Sequence, residues 1–139
     1  MLGRLGSERA WVVHGAGLDE LTIAGTTTVA AFENGKVETF EIAPEDVGLE
    51  RARLEDIRGG EPKHNARLMR EVLAGAGGPL RDVVLLNSGA ALVIAGAAEG
   101  LEAGLERAAR SLDSGEARRV LEALVARTNA GAPAEAVAE

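Results

Sequence analysis

Apolar residues crowd the stretch Ala10-Trp11-Val12-Val13-His14 between polar neighbours, a short run that suits a buried strand better than a helix. A glycine-rich turn follows, and then two adjacent acids, Asp19 and Glu20. Beyond Leu21-Thr22-Ile23-Ala24 the chain turns β-branched from Thr26 to Phe32, a composition that fits a pleated, half-buried surface. Asn34-Gly35 is the pair that a two-residue type I′ turn requires, so residues 27 to 42 are expected to form an antiparallel hairpin. In that register Val29 and Ala31 share a face with Phe40 and Ile42. Pro44-Glu45-Asp46 reads as a one-turn helix, with proline in its first turn and acids near the positive end of the backbone dipole.

After Gly59-Gly60 the period changes. Leu68, Met69, Val72 and Leu73 recur at helical spacing, Pro62 fits the first turn, and Gly75 and Gly77 stop a helix over roughly residues 61 to 75. Residues 79 to 98 are apolar nearly all round, with Asn87 and Ser88 as the main interruption, and are expected to form a buried helix from Pro79; periodicity alone leaves a strand at Val83 to Leu86 open. Leu101, Leu105, Ala108 and Leu112 mark a third helical face. A fourth helix is expected to begin at Asp113-Ser114-Gly115-Glu116, with Asp113 capping it and Glu116 reaching back, and to face inward with Leu121, Leu124, Val125 and Thr128. Residues 129 to 139 read as a frayed tail. The order is strands first and four helices afterwards, with no internal repeat. A hairpin and one short strand are a small sheet for so much helix, so another sheet or another chain is expected to supply cover.

The chain has 139 residues, enough for one domain that buries roughly two thirds of its unfolded surface. A hydrophobic share of 46% and a charged share of 27% place it among globular proteins. The formal charge of −7, with no basic patch, argues against general affinity for nucleic acid or an anionic membrane. The absence of cysteine excludes disulfides, thiolate catalysis and zinc-thiolate centres. No segment reads as a secretory signal or a membrane span, and a cytoplasmic location is expected. The aromatics are Trp11, Phe32 and Phe40, too few for a base-stacking surface.

The candidate chemistry sits in Val12 to Thr22. Adjacent side chains on a regular strand point to opposite faces, so Asp19 and Glu20 can serve one ion only where the backbone has left strand geometry. Gly15 and Gly17 make that departure inexpensive because they tolerate positive φ. Magnesium takes oxygen ligands and is commonly held by one or two carboxylates plus substrate phosphates, which such a turn could offer. An adjacent acid pair is weak by itself, since Glu45-Asp46 and Glu55-Asp56 also occur among 22 acids, and a solvated turn is the plainer reading. Arg58-Gly59-Gly60 before a helix could present amides to a phosphate, but a turn setting the helix's entry angle is the stronger expectation. His14 could serve as an acid or base near neutrality, though a structural role is commoner for a lone strand-end histidine. His64 is expected to be exposed, and Asn87 to satisfy a backbone group in the core.

Taken together, Val12-Val13-His14-Gly15-Ala16-Gly17-Leu18-Asp19-Glu20, Pro44 to Leu49, Leu54 to Gly60 with Asn65-Ala66, Arg81 to Asn87, and Leu112-Asp113-Ser114-Gly115 resemble the C-terminal part of the anthranilate phosphoribosyltransferase family, in register over about residues 2 to 128. The resemblance implies an α/β fold class: a partial nucleoside phosphorylase/phosphoribosyltransferase-like α/β domain over residues 1–128, a short strand plus β-hairpin followed by about four helices. It implies membership of an enzyme that transfers the phosphoribosyl group of phosphoribosyl pyrophosphate to anthranilate, releasing pyrophosphate, in tryptophan biosynthesis. By matching motif it gives Asp19 and Glu20 the role of binding Mg2+ that engages the sugar-pyrophosphate, an electrostatic and positional role rather than that of a general base.

The family's N-terminal helical domain, its Gly-Thr-Gly-Gly-Asp phosphate loop, its Lys-His-Gly-Asn-Arg segment and its contacts to anthranilate have no counterpart in this sequence. The chain therefore resembles a fragment, expected to be inactive alone and to require the missing part for anthranilate. Whether it forms a homo-oligomer or joins a complementing chain stays open. A pyrimidine nucleoside phosphorylase-like or noncatalytic relative, and a structural module that binds a partner through an exposed apolar face, are the competing readings.

Overall fold

The computed structural model describes residues 1–130. After a 3-10 turn at Leu2–Leu5, strand β1 (Arg9–Gly15) pairs antiparallel with β2 (Thr27–Glu33), which pairs antiparallel with β3 (Lys36–Ile42). The β2–β3 link is the expected hairpin. Glu33 faces Lys36, and Asn34 (φ 52°) and Gly35 (φ 77°) both hold the positive φ of a type I′ turn. Val29 faces Phe40 and Thr27 faces Ile42, so the expected face is the one formed.

That face is the inner one. Val29 is fully buried, Ile42 nearly so, and Trp11 meets Phe40 edge-on with ring centres 5.6 Å apart. α2 (Pro79–Ile94) packs on the sheet at β1 and α3 (Leu101–Asp113) on α2, with α1 (Pro62–Leu73) against α3, and their Val72, Leu85, Leu86, Leu105 and Leu112 join Leu21 and Ile23 in one core. The other face of the sheet leaves Val12 and Val37 largely exposed. Two further 3-10 turns, Pro44–Val47 and Leu54–Ile57, lead from the hairpin to α1.

Residues 83 to 86 are helical, which settles the helix-or-strand alternative; α2 stops at Ile94, four residues earlier than expected. It crosses α3 at two buried glycines. A Cβ on Gly104 would lie 2.5 Å from the carbonyl oxygen of Gly89, so the two backbones touch where no side chain fits.

The entry to α4 (Glu116–Asn129) corrects the expected capping box. α3 runs through Asp113, and that carboxylate accepts from Arg81 Nη2 at 2.8 Å instead of capping α4. Gly115, at φ 77°, occupies the capping position, and the nearest side-chain acceptor for the Glu116 amide is Ser114 Oγ at 3.4 Å. Asn129 belongs to α4 and Ala130 follows it as the helix's C-terminal cap position, while residues 131–139 of the expected tail lie outside the described residues.

Candidate functional site

β1 ends by folding back on itself within four residues. The Gly15 amide donates to the Leu18 carbonyl at 3.1 Å, and the Leu18 amide donates to the Gly15 carbonyl at 2.9 Å. Ala16 (φ 51°) and Gly17 (φ 83°) form the bend. Asp19 and Glu20 leave this reversal on irregular backbone, the departure from strand geometry that a shared ion needs. Gly15 has a different role from the expected one: its φ is outside the left-handed region, and it is glycine because a Cβ would lie 2.5 Å from Thr27 Oγ1 and 2.7 Å from Thr22 Cγ2.

Immediately after the two acids the chain dives into the core. Leu21, Thr22 and Ile23 are 3%, 0% and 0% exposed, although they belong to no helix or strand. Buried backbone of this kind must find partners elsewhere, and they come here from α2, from β2 and from the loop at residue 52. Asn87 of α2 accepts from the Leu21 amide through Oδ1 at 3.1 Å and donates through Nδ2 to the Leu21 carbonyl at 2.9 Å. The Thr22 amide donates to Thr27 Oγ1 of β2 at 3.0 Å, and the Ile23 carbonyl accepts from the Ala52 amide at 2.9 Å. Thus Asp19 and Glu20 occupy an exposed bridge between a closed turn and a pinned segment.

Both carboxylates face solvent, and the nearest basic side chain is the imidazole of His14, whose Nδ1 lies 3.9 Å from Asp19 Oδ1, with both side chains exposed. That distance is too long for a hydrogen bond. The other adjacent acids are engaged differently. Glu45 receives two hydrogen bonds from Arg51, at 2.8 and 3.1 Å, which hold its carboxyl below the usual range. Asp46 accepts from the Ala43 amide at 2.8 Å. Asp56 accepts from the Arg53 guanidinium at 2.8 and 3.2 Å, which lowers its pKa, and from the Arg53 amide at 3.0 Å. Of the three pairs, Asp19-Glu20 is the one whose carboxylates are both without a close protein partner.

Among the described residues no group of three or more His, Asp or Glu gathers as a complete metal cage. Two hard oxygen donors on an open turn fit an ion that retains water and takes substrate phosphates, which is the habit of Mg2+. The remaining candidates resolve structurally. Asn65 closes the Arg58-Gly59-Gly60 turn by accepting from the Gly60 amide at 2.7 Å and donating to the Gly60 carbonyl at 2.9 Å, so that amide is not free for a phosphate. His64 is exposed beside Arg67. Thr22 and Thr27, which build the floor under the turn, carry no motif that would single them out. The sole legible sign is that Thr27 falls on the inner face of the hairpin.

The family model described as "Glycosyl transferase family, a/b domain" matches residues 1–118. The chain belongs to this glycosyl transferase family. Within the family it is 57% identical over 134 residues to the anthranilate phosphoribosyltransferase of Azorhizobium caulinodans, an alignment covering 96% of this chain and 39% of that protein. The anthranilate phosphoribosyltransferase structure from Thermus thermophilus superposes with a TM-score of 0.82 at 44% identity, over 90% of this chain and 37% of that one. The Saccharomyces cerevisiae enzyme, solved in complex with PRPP and Mg, superposes with a TM-score of 0.73 at 33% identity, over 81% of this chain and 33% of that one. The chain thus spans about two fifths of the length of the curated relatives it matches. These likenesses bear out the resemblance to anthranilate phosphoribosyltransferase and the α/β class drawn from the motifs.

Proposed function

We propose that this chain is part of an anthranilate phosphoribosyltransferase and carries its Mg2+-binding carboxylates, Asp19 and Glu20. The reading rests above all on one contrast: this acid pair directly follows a closed turn with both side chains uncommitted, while Glu45, Asp46 and Asp56 of the other two pairs are engaged by arginine or backbone. The likeness to an enzyme solved with PRPP and Mg supports it. Asp19 and Glu20 would hold the ion, which would supply positive charge to offset that of a pyrophosphate leaving group. Asp19 and Glu20 supply oxygen donors and orientation. Neither acts as a general base. Anthranilate binding requires residues outside this sequence, from a complementing chain or a longer form of the protein, and homo-oligomer formation belongs to the same question. The setting is tryptophan biosynthesis in the cytoplasm.

The test is a calorimetric titration of phosphoribosyl pyrophosphate with and without Mg2+, on this chain and on its Asp19→Ala, Glu20→Ala double variant. Metal-dependent heat in the wild type that disappears in a folded double variant is expected. Undiminished binding by the double variant would overturn the assignment.

A further inference from the structure

The acids are exposed and their torsions are their own, so something must stop the bridge that carries them from wandering. On one side the reversal at Gly15 to Leu18 closes with two backbone hydrogen bonds. On the other, one side chain does the equivalent work from 66 positions away in sequence. Asn87 both accepts from and donates to Leu21, and its second Nδ2 hydrogen reaches the Val83 carbonyl at 3.0 Å. Both donors and one of the two acceptor lone pairs of the amide are thereby engaged, three of its four capacities, which fixes its orientation.

The Leu21 amide belongs to the same planar peptide unit as the Glu20 carbonyl. Holding that amide therefore orients the plane on which Glu20 ends. The anchor itself sits on rigid scaffold: Leu86 and Ala90 of α2 are buried, and the helix is pressed against α3 at Gly89 and Gly104. Only Asp19 and Glu20 lie between the closed turn and the clamp.

We propose that Asn87 is a positioning residue for the Asp19-Glu20 magnesium site, transmitting the rigidity of α2 to the two carboxylates through the Leu21 peptide. This rests on the reading given under Proposed function. Partners that orient a metal ligand without touching the metal typically change affinity by about 10–100-fold when removed.

Mn2+ alone serves as the probe, through paramagnetic broadening of the Asp19 and Glu20 amide resonances in the intact chain, alongside hydrogen exchange at the Leu21 amide. In a folded Asn87→Leu variant the broadening is expected to need about tenfold more Mn2+, with faster Leu21 exchange. Phe40→Leu, which removes the edge-on ring contact with Trp11 in the sheet, is expected to leave the Mn2+ response unchanged. An unaltered response in folded Asn87→Leu, or an equal loss in Phe40→Leu, overturns the proposal. Should Asn87→Leu fail to fold, the wild type decides by itself: Leu21 must exchange as slowly as the amides of α2, and exchange as fast as Asp19 refutes the clamp. Absence of local broadening in the wild type, with Leu21 still protected, removes the magnesium reading and the proposal's metal role with it, and differs visibly from failure of the clamp.

Discussion

Replacing Gly15 with alanine asks the turn before the acidic pair to accommodate one methyl group. Backbone conformation does not forbid it, because the φ of Gly15 lies outside the left-handed region. At such a position alanine ordinarily stabilises by about 0.4–1 kcal/mol, through the smaller entropy of the unfolded chain. Contact geometry reverses the sign. The new Cβ would sit 2.5 Å from Thr27 Oγ1, 2.7 Å from Thr22 Cγ2 and 3.2 Å from Thr27 Cβ, and both threonines are fully buried. Overpacking of this kind costs about 1–3 kcal/mol. If Thr27 yields, its hydroxyl leaves the Thr22 amide, a buried donor whose loss of a partner costs about 1–3 kcal/mol more. The net expectation is a loss of about 3 kcal/mol, measured as the shift in urea-unfolding free energy at constant m-value. Adding Thr22→Ser removes the methyl at 2.7 Å and should recover about 1 kcal/mol as a coupling between neighbouring sites. A Gly15→Ala change within about 0.5 kcal/mol of wild type, or any gain in stability, would refute the reasoning.

Gly104→Ala should destabilise by about 1–3 kcal/mol despite alanine's better helix propensity, since the methyl meets backbone of Gly89 that cannot rotate away; Ala103→Gly, exposed on the same helix, gives the propensity yardstick in the same unfolding assay. If Gly104→Ala gains what Ala103→Gly loses, the backbone contact is not restrictive. The Glu45–Arg51 and Arg53–Asp56 pairs both lower the folded-state carboxyl pKa, so their contribution is present above the ordinary carboxylate range and is lost as pH falls through the lowered midpoints. Carboxyl NMR titration should find both midpoints below those of unfolded peptides, and Arg51→Gln should return Glu45 to the ordinary range while leaving Asp56 in place.

Features written within a few neighbouring residues were legible from the chain alone. Asn34-Gly35 dictates a hairpin because its two positions must adopt positive φ, and the alternation on either side then chooses the inner face. Helix periods located all four helices, and Asn87 stood out as a polar interruption of an apolar segment with a backbone group to satisfy. The acidic pair at 19 and 20 was set apart by the glycine-rich turn before it and by its family motif, but nothing local said whether its carboxylates, or those at 45–46 and 55–56, were already engaged. That distinction came from Arg51, Arg53 and the Ala43 amide, which engage those pairs.

The local signals also misdirected where a distant partner competed. Asp113 has the spelling of a helix cap, yet Arg81 takes its carboxylate across the α2–α3 packing. Gly15 looks like a turn residue and is in fact a site of close approach to Thr22 and Thr27. Gly89 and Gly104 carry no message until two helices cross. Sequence by itself determined the three strands, the four long helices of the described residues, their order and the oxygen donors present at positions 19 and 20, because propensity, period and turn type act over a few bonds. Tertiary structure alone decided which peptide Asn87 holds, because a hydrogen bond spanning 66 positions depends on how α2 and the 19–24 segment pack, and no local pattern encodes that distance.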